Sequence, residues 1–326
     1  MTFVSTQESF VLGTAPSTGT CMIHTLDRGQ TWTALPALGI PLGSAGSSSG
    51  HSVWGTRFAS PSHGFVFGVG LWETTDGGGH WTLHSQPTGT ILSLAVIRGQ
   101  VLALKANGSV AAGFSSATLL RRALSGGSWS TVATLPSPDL ADPNDLIATQ
   151  GGTAAVLAGT SVIVTSDGGL TIATHATPTL TSPFVPSSVA VTSAHGLALL
   201  CVGEGAAGHT QKLVYTSADG GATWSKAGTP PFAGDGGTLA GVGNDLVLAS
   251  TSAASWLYRS TNGGHSWTTP VTYGDGGLGW ADLGFTSPSD AVVVHGPADS
   301  ASASDGRIGK VVLSSDGGAT WHSVTF

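Results

Sequence analysis

One recurring turn limits what this chain of 326 residues can fold into. The signature first runs Leu26-Asp27-Arg28-Gly29-Gln30-Thr31-Trp32 and returns as Thr75-Asp76-Gly77-Gly78-Gly79-His80-Trp81. It recurs at Ser125-Gly126-Gly127-Ser128-Trp129, Ser166-Asp167-Gly168-Gly169-Leu170-Thr171-Ile172, Asp219-Gly220-Gly221-Ala222-Thr223-Trp224, Asn262-Gly263-Gly264-His265-Ser266-Trp267 and Asp316-Gly317-Gly318-Ala319-Thr320-Trp321. The Trp-equivalent positions 32, 81, 129, 172, 224, 267 and 321 are separated by 49, 48, 43, 52, 43 and 54 residues. Seven units therefore fill the chain.

Each signature lies between short apolar runs, as with Lys212-Leu213-Val214-Tyr215-Thr216 before Asp219 and Thr223-Trp224-Ser225 after it, so it joins two strands of a hairpin. The residue types then have mechanical tasks. The carboxylate accepts backbone N–H bonds within the turn, glycine supplies positive φ, and the indole covers the turn with apolar area. On this reading Asp27, Asp76, Asp167, Asp219 and Asp316 are structural, as is Asn262, which keeps an acceptor oxygen. Ile172 keeps apolar bulk, whereas the third copy lacks both the Asp and one residue of spacing and is expected to be the loosest turn.

The fifth unit also gives a strand count. Val189-Ala190-Val191-Thr192, Leu197-Ala198-Leu199-Leu200-Cys201, Leu213-Val214-Tyr215-Thr216 and Thr223-Trp224-Ser225 read as four antiparallel strands. Four strands per repeat of about 45 residues is the pattern of a propeller blade. The expected fold is all-β: a single seven-bladed β-propeller of four-stranded antiparallel blades, near 1–36, 51–85, 90–134, 145–175, 187–227, 237–270 and 280–326. The first unit already supplies four strands before Leu35, so the ring is expected to close without a swapped strand.

These turns resemble the Asp-box, or BNR repeat, of sialidases, xyloglucanases, the sortilin ectodomain and Ycf48-like photosystem II assembly factors. Four copies keep both Asp and Trp at full spacing, and the seven together span the chain. The resemblance implies the propeller and leaves its chemistry open, since such propellers serve both enzymes and binding scaffolds. It implies that the Asp-box hairpins sit at the outer end, away from a channel face where ligands bind.

Composition removes several function classes. Eleven Lys+Arg against eighteen Asp+Glu give a net charge of −7, so no basic field exists to recruit nucleic acid. No run reaches the roughly 18 apolar residues of a membrane helix. Met1 is followed by Thr-Phe-Val-Ser with no signal peptide, and an exported or cell-surface location, extracellular in either case, is the expectation. Cys21 and Cys201 read as buried free thiols, with a disulfide the minor alternative. Eleven histidines include no HxxxH or HxH pair, and every Gly-Gly run leads into a strand. No metal and no cofactor are expected, and a site joining His51, His209 and His295 is a remote grouping.

Recognition is then expected in unrepeated loops of the channel face. Those leading into first strands offer His51, Trp54, Arg57, Asp142, Asp145, Asp235, Asp275, Trp280 and Asp282. The second-to-third connections add Glu204, His209, His295, Asp299, Asp305 and Arg307. The leading expectation is a rigid scaffold presenting this face to a carbohydrate or protein ligand. The alternative is a glycoside hydrolase or polysaccharide lyase in which Asp145 and Asp282 act as a pair at roughly 5 to 9.5 Å, with Trp54 and Trp280 as sugar-stacking platforms. Sialidase chemistry is disfavoured: only Arg57, Arg98 and Arg307 lie outside the turns and third strands, and only Tyr273 is similarly placed.

Overall fold

A computed structural model describes residues 1–15, 19–43, 50–109, 113–136, 147–296 and 310–324. The chain divides into two compact units. The first, Met1–Leu146, holds three four-stranded antiparallel sheets. Blade 1 comprises β1 (Thr2–Phe3), β2 (Ser9–Ala15), β3 (Gly19–Thr25) and β4 (Thr33–Ala34). Blade 2 comprises β5 (Val53–Phe58), β6 (Gly64–Gly68), β7 (Gly70–Thr74) and β8 (Thr82–Leu83). Blade 3 comprises β9 (Ile91–Ile97), β10 (Gln100–Ser109), β11 (Gly113–Ala123) and β12 (Ser130–Pro136).

The second unit, Ile147–Gly296 with Lys310–Ser323, holds four more sheets. Blade 4 has β13 (Ile147–Gln150), β14 (Thr153–Ala158), β15 (Ser161–Thr165) and β16 (Ala173–Ala176). Blade 5 has β17 (Val185–Val191), β18 (Leu197–Ala206), β19 (His209–Ser217) and β20 (Ser225–Gly228). Blade 6 has β21 (Asp235–Val242), β22 (Asp245–Thr251), β23 (Ser255–Ser260) and β24 (Thr268–Tyr273). Blade 7 has β25 (Trp280–Phe285), β26 (Ala291–His295), β27 (Lys310–Ser314) and β28 (His322–Ser323). Every sheet uses four consecutive strands, and the outer strand of the last is residues 322–323, so no strand is exchanged with the chain start.

Sheets covered on both faces should carry continuous apolar inner strands rather than alternating ones. Leu197-Ala198-Leu199-Leu200-Cys201 is indeed buried at every position. Its two faces serve two cores: Leu197 and Leu199 meet Val162 and Val164 of blade 4, while Ala198 and Leu200 meet Leu239, Leu246 and Tyr258 of blade 6. Cys201 is a free thiol that burial pushes up to about 12, and Cys21 is free as well.

The repeated turns share a hydrogen-bond circuit whose hub lies two residues before the Asp. In blade 5 the Ser217 hydroxyl donates to Asp219 Oδ1 at 2.8 Å and accepts the Gly221 N–H at 2.8 Å. Asp219 then takes the Thr223 N–H at 2.9 Å and the Thr223 hydroxyl at 2.6 Å. The corresponding hubs Thr25, Thr74, Thr165, Ser260 and Ser314 make the same two bonds. All six are buried, between 1% and 7% exposed. Gly221 must be glycine: its φ is +94°, and a Cβ would lie 3.3 Å from Leu197. Where Asn262 replaces Asp, its Nδ2 donates to the Ser266 hydroxyl at 2.9 Å, reversing one bond and keeping the circuit.

These bonds favour ionised carboxylates. The Thr31, Thr171 and Thr223 hydroxyls and N–H groups hold Asp27, Asp167 and Asp219 at about 2, below their ordinary 3.8. At Asp316 desolvation opposes the shift and the Thr320 bonds override it, again to about 2. His80 replaces the hydroxyl in blade 2, its Nδ1 lying 2.6 Å from Asp76 Oδ2, and lowers Asp76 still further.

The third turn has no carboxylate; its Gly126 N–H donates to the Ala123 carbonyl at 3.0 Å and the Leu124 N–H to the Gly99 carbonyl at 2.8 Å. Its flanking strands are long, with 11 residues in β11 and 7 in β12. A buried charge cluster adds a second tie between blades 2 and 3. Glu73 on β7 receives His63 Nε2 at 2.6 Å on one oxygen, and His84 Nε2 and Arg122 Nη2, the latter at 3.0 Å, on the other. The Arg122 guanidinium also stands 5.3 Å from the Trp129 ring.

Three outcomes follow for equilibrium urea unfolding. Ser217→Ala leaves a buried N–H and the Asp219 oxygen without their partner and should cost about 1–3 kcal/mol, whereas Thr223→Ala, at an exposed hydroxyl, should cost less. Arg122→Ala removes the guanidinium from the Glu73 carboxylate, leaving His63 and His84, and should cost roughly 1–3 kcal/mol. The depressed Asp-box values mean that the unfolded chain binds protons before the folded one. Their stabilisation is complete above about pH 4 and should be lost as pH falls toward 2, with a shallower loss in Asp219→Asn.

Candidate binding surface

Strand order places the turns. In five blades the second residue of the repeated turn donates its N–H to a carbonyl in the first-to-second strand turn of the same blade: Arg28 to Gln7, Gly77 to Ser62, Gly220 to His195, Gly263 to Asn244 and Gly317 to Ser289, at 2.7–2.9 Å. Both turn types therefore share one end of a blade. The loops into each first strand and the second-to-third turns occupy the opposite end.

At that opposite end of blades 6 and 7, three candidates come together. His295, at the end of β26, places Nε2 2.5 Å from Asp275 Oδ2 in the loop before β25. Its ring lies 4.5 Å from Tyr273 and 4.7 Å from Trp280, and Trp280 Nε1 donates to the Ser250 carbonyl at 3.2 Å. Asp275 also accepts the Gly277 N–H at 2.8 Å, while Gly277 has φ +82° and its Cβ position falls 1.7 Å from the Ser252 carbonyl oxygen, so only glycine fits. Desolvation raises the Asp275 pKa, but hydrogen bonds from Ser255, His295 and Gly277 bring it below the ordinary value. His295 and Asp275 are 9% and 10% exposed, which makes the pair a support for the loop more than a surface in itself.

Between blades 5 and 6, the loop 229–234 is fastened to the start of β19. Thr210 N–H donates to the Gly234 carbonyl at 3.1 Å, Gly234 N–H to His209 Nδ1 at 3.1 Å, and the Tyr258 hydroxyl to the Ala233 carbonyl at 3.0 Å. Accepting an N–H at Nδ1 puts the His209 proton on Nε2, leaving an available donor. Phe232 on this loop is 50% exposed, with its ring 5.8 Å from His209, and Trp256 stands 6.2 Å from His209 on the other side. Beneath the loop, Lys212 Nζ lies within 2.7–3.4 Å of the carbonyls of Thr210, Pro231, Phe232, Ala233 and Gly234.

The remaining candidates disperse, apart from Asp235, which directly follows loop 229–234. Glu204 and Asp235 are exposed on β18 and β21. In the first unit His51 Nδ1 pairs with the Val69 carbonyl at 3.0 Å, and Trp54 is 8% exposed within the core, so it offers no stacking face. Arg57 is a correction: its guanidinium bonds the Met1 and Thr56 carbonyls near the far end of β5, toward the Asp-box turns. Asp282 sits at an irregularity of β25 with φ +52°. Its expected partner Asp145 lies outside the described residues, as do Asp142, Asp299, Asp305 and Arg307. Among the described residues no three His, Cys, Asp or Glu side chains gather as a metal site.

Phe232, Trp256 and Lys212 were not among the sequence candidates. Lys212 did carry a signal, since strand alternation puts it on the same face as the buried Val214.

Comparison with known proteins bears on the fold. The BNR/Asp-box repeat family model matches residues 215–226, the turn of blade 5. No characterised protein matches the chain in sequence. A solved structure described as YCF48 bound to D1 peptide is similar at 18% identity, over 91% of this chain and 89% of that one, with a TM-score of 0.60. A second, YCF48 from Cyanidioschyzon merolae, gives 17% identity over 84% and 86%, with a TM-score of 0.48. Its seven four-stranded sheets, joined by repeated turns of which one matches the BNR/Asp-box repeat, give the chain a seven-bladed β-propeller fold.

Proposed function

We propose that the protein is a binding scaffold without catalytic turnover, and that blades 5 and 6 receive a peptide segment at the end opposite the Asp-box turns. The observation that carries this reading is Phe232, a large aromatic side chain left half exposed on a tightly fastened loop beside the His209 Nε2–H. An aromatic anchor next to a fixed donor suits a peptide, whose apolar side chain covers the ring while a backbone carbonyl takes the hydrogen bond. The similar fold seen with a D1 peptide lends support by analogy alone.

The glycosidase alternative is less favoured by the chemistry of the site. A general acid needs a raised pKa, and Asp275 is held in the opposite direction by Ser255, His295 and Gly277. Sugar platforms need an open aromatic face, yet Trp280 is engaged with Tyr273 and His295.

The test is selection from a random peptide-display library on the immobilised full chain, followed by titration with the selected peptide. Selected sequences should share an apolar or aromatic anchor, and Phe232→Ala should weaken binding at least about tenfold, or ~1.4 kcal/mol. Failure to select any peptide, or glycan-array binding with release of reducing sugar, would overturn the proposal.

A further inference from the structure

Lys212 is the most deeply buried cation of the second unit, 1% exposed, and it faces backbone carbonyls in place of a carboxylate. Four of its five carbonyl neighbours come from successive residues, 231 to 234. Consecutive carbonyls converging on one point repel each other unless a cation or several donors occupy that point. The loop shape therefore depends on the ammonium.

We propose that Lys212 is the positioning residue of the Phe232 surface, its ammonium acting as a built-in cation that shapes loop 229–234. This rests on the peptide-binding reading above. The charged groups around the cage are few. Asp235 follows the loop, and the Tyr258 hydroxyl, pushed up to about 12 by burial, remains a donor to the Ala233 carbonyl. His209 accepts the Gly234 N–H at Nδ1.

The energetics distinguish positioning from stabilisation. Burial pushes the Lys212 pKa down to about 8, with Asp235 pulling weakly the other way, so the ammonium persists at neutral pH although the cage does not fully offset its lost hydration. Between pH 8 and 10.5 the unfolded chain binds the proton that the folded chain has released, so this residue makes stability rise with pH across that window. A buried charge kept at a cost to stability fits a role in conformation.

The test uses the full chain with Lys212→Met and Lys212→Ala. Lys212→Met should be no less stable than wild type at pH 7 and should lack the wild-type contribution to rising stability above pH 8. Hydrogen exchange at the 232–236 amides should accelerate at least tenfold, and affinity for the display-selected peptide should fall at least tenfold. In Lys212→Ala, ammonium or potassium chloride should restore peptide binding and loop protection, and tetramethylammonium chloride, too large for the cage, should not.

Unchanged loop exchange in Lys212→Met overturns the proposal. So does a variant that loses stability together with affinity, or an alanine variant indifferent to the small cations, since each assigns Lys212 to the fold alone. A loosened loop with undiminished affinity ends the positioning role and leaves the peptide reading standing. Absence of any selected peptide ends that reading, and with it the recognition role of the loop, while the exchange data still report on the cage.

Discussion

The bond between a buried Ser or Thr hydroxyl and the Asp two residues later is the interaction on which the fold depends. The hydroxyl donates to the carboxylate and accepts a glycine N–H, so a turn that would otherwise bury an orphan donor becomes self-sufficient. Satisfied in this way, the turn can be pressed against the neighbouring sheet, as Gly264 lies on Val214 and Gly318 on Val247. Short outer strands then suffice, since β8 and β28 contribute only two residues each and the turn supplies the missing order. Where the carboxylate is lost in blade 3, the ladders lengthen and the Glu73 cluster ties the sheet to its neighbour.

Three charges, Lys212 buried and Glu73 and Asp275 partly so, show how this chain manages with so few ionisable groups. Glu73 is hydrogen-bonded by a guanidinium and two imidazoles, Asp275 by an imidazole, a hydroxyl and a backbone N–H, and Lys212 by backbone carbonyls. The first two are satisfied by partners that bring charge or strong donors. The third is met chiefly by backbone dipoles, four of them from one loop, which makes that loop the element most sensitive to the charge it encloses. The same loop displays Phe232, so an electrostatic constraint inside the blade bears on what the surface can offer outside it.

The two ends of each blade thus have different physical characters. One is repetitive, because every turn must solve the same hydrogen-bonding problem. The other is irregular, because its loops answer to local constraints such as the close approach of Gly277 to the Ser252 carbonyl. Recognition elements accumulate where repetition is not enforced.

Much of the fold was legible because it is local. The Asp-Gly-Gly-X-X-Trp spacing, the apolar runs on either side and their period determined seven blades of four strands, and the hub hydroxyls at positions 25, 74, 165, 217, 260 and 314 were readable in the same repeat had the pattern been extended two residues upstream. The site was only partly legible. Asp275, Trp280 and His295 stood out as unrepeated residues, yet their sequence could not say that they would pack upon one another instead of facing a ligand. Arg57 reads as a loop cation and ends as a tie to the Met1 carbonyl. Lys212 reads as an ordinary strand residue and becomes the centre of a carbonyl cage, because the atoms that enclose it lie some twenty residues away. Sequence alone determined what hydrogen bonds over four or five residues dictate. Only the tertiary structure decided which distant groups would share a buried charge, because that choice is made by packing between sheets.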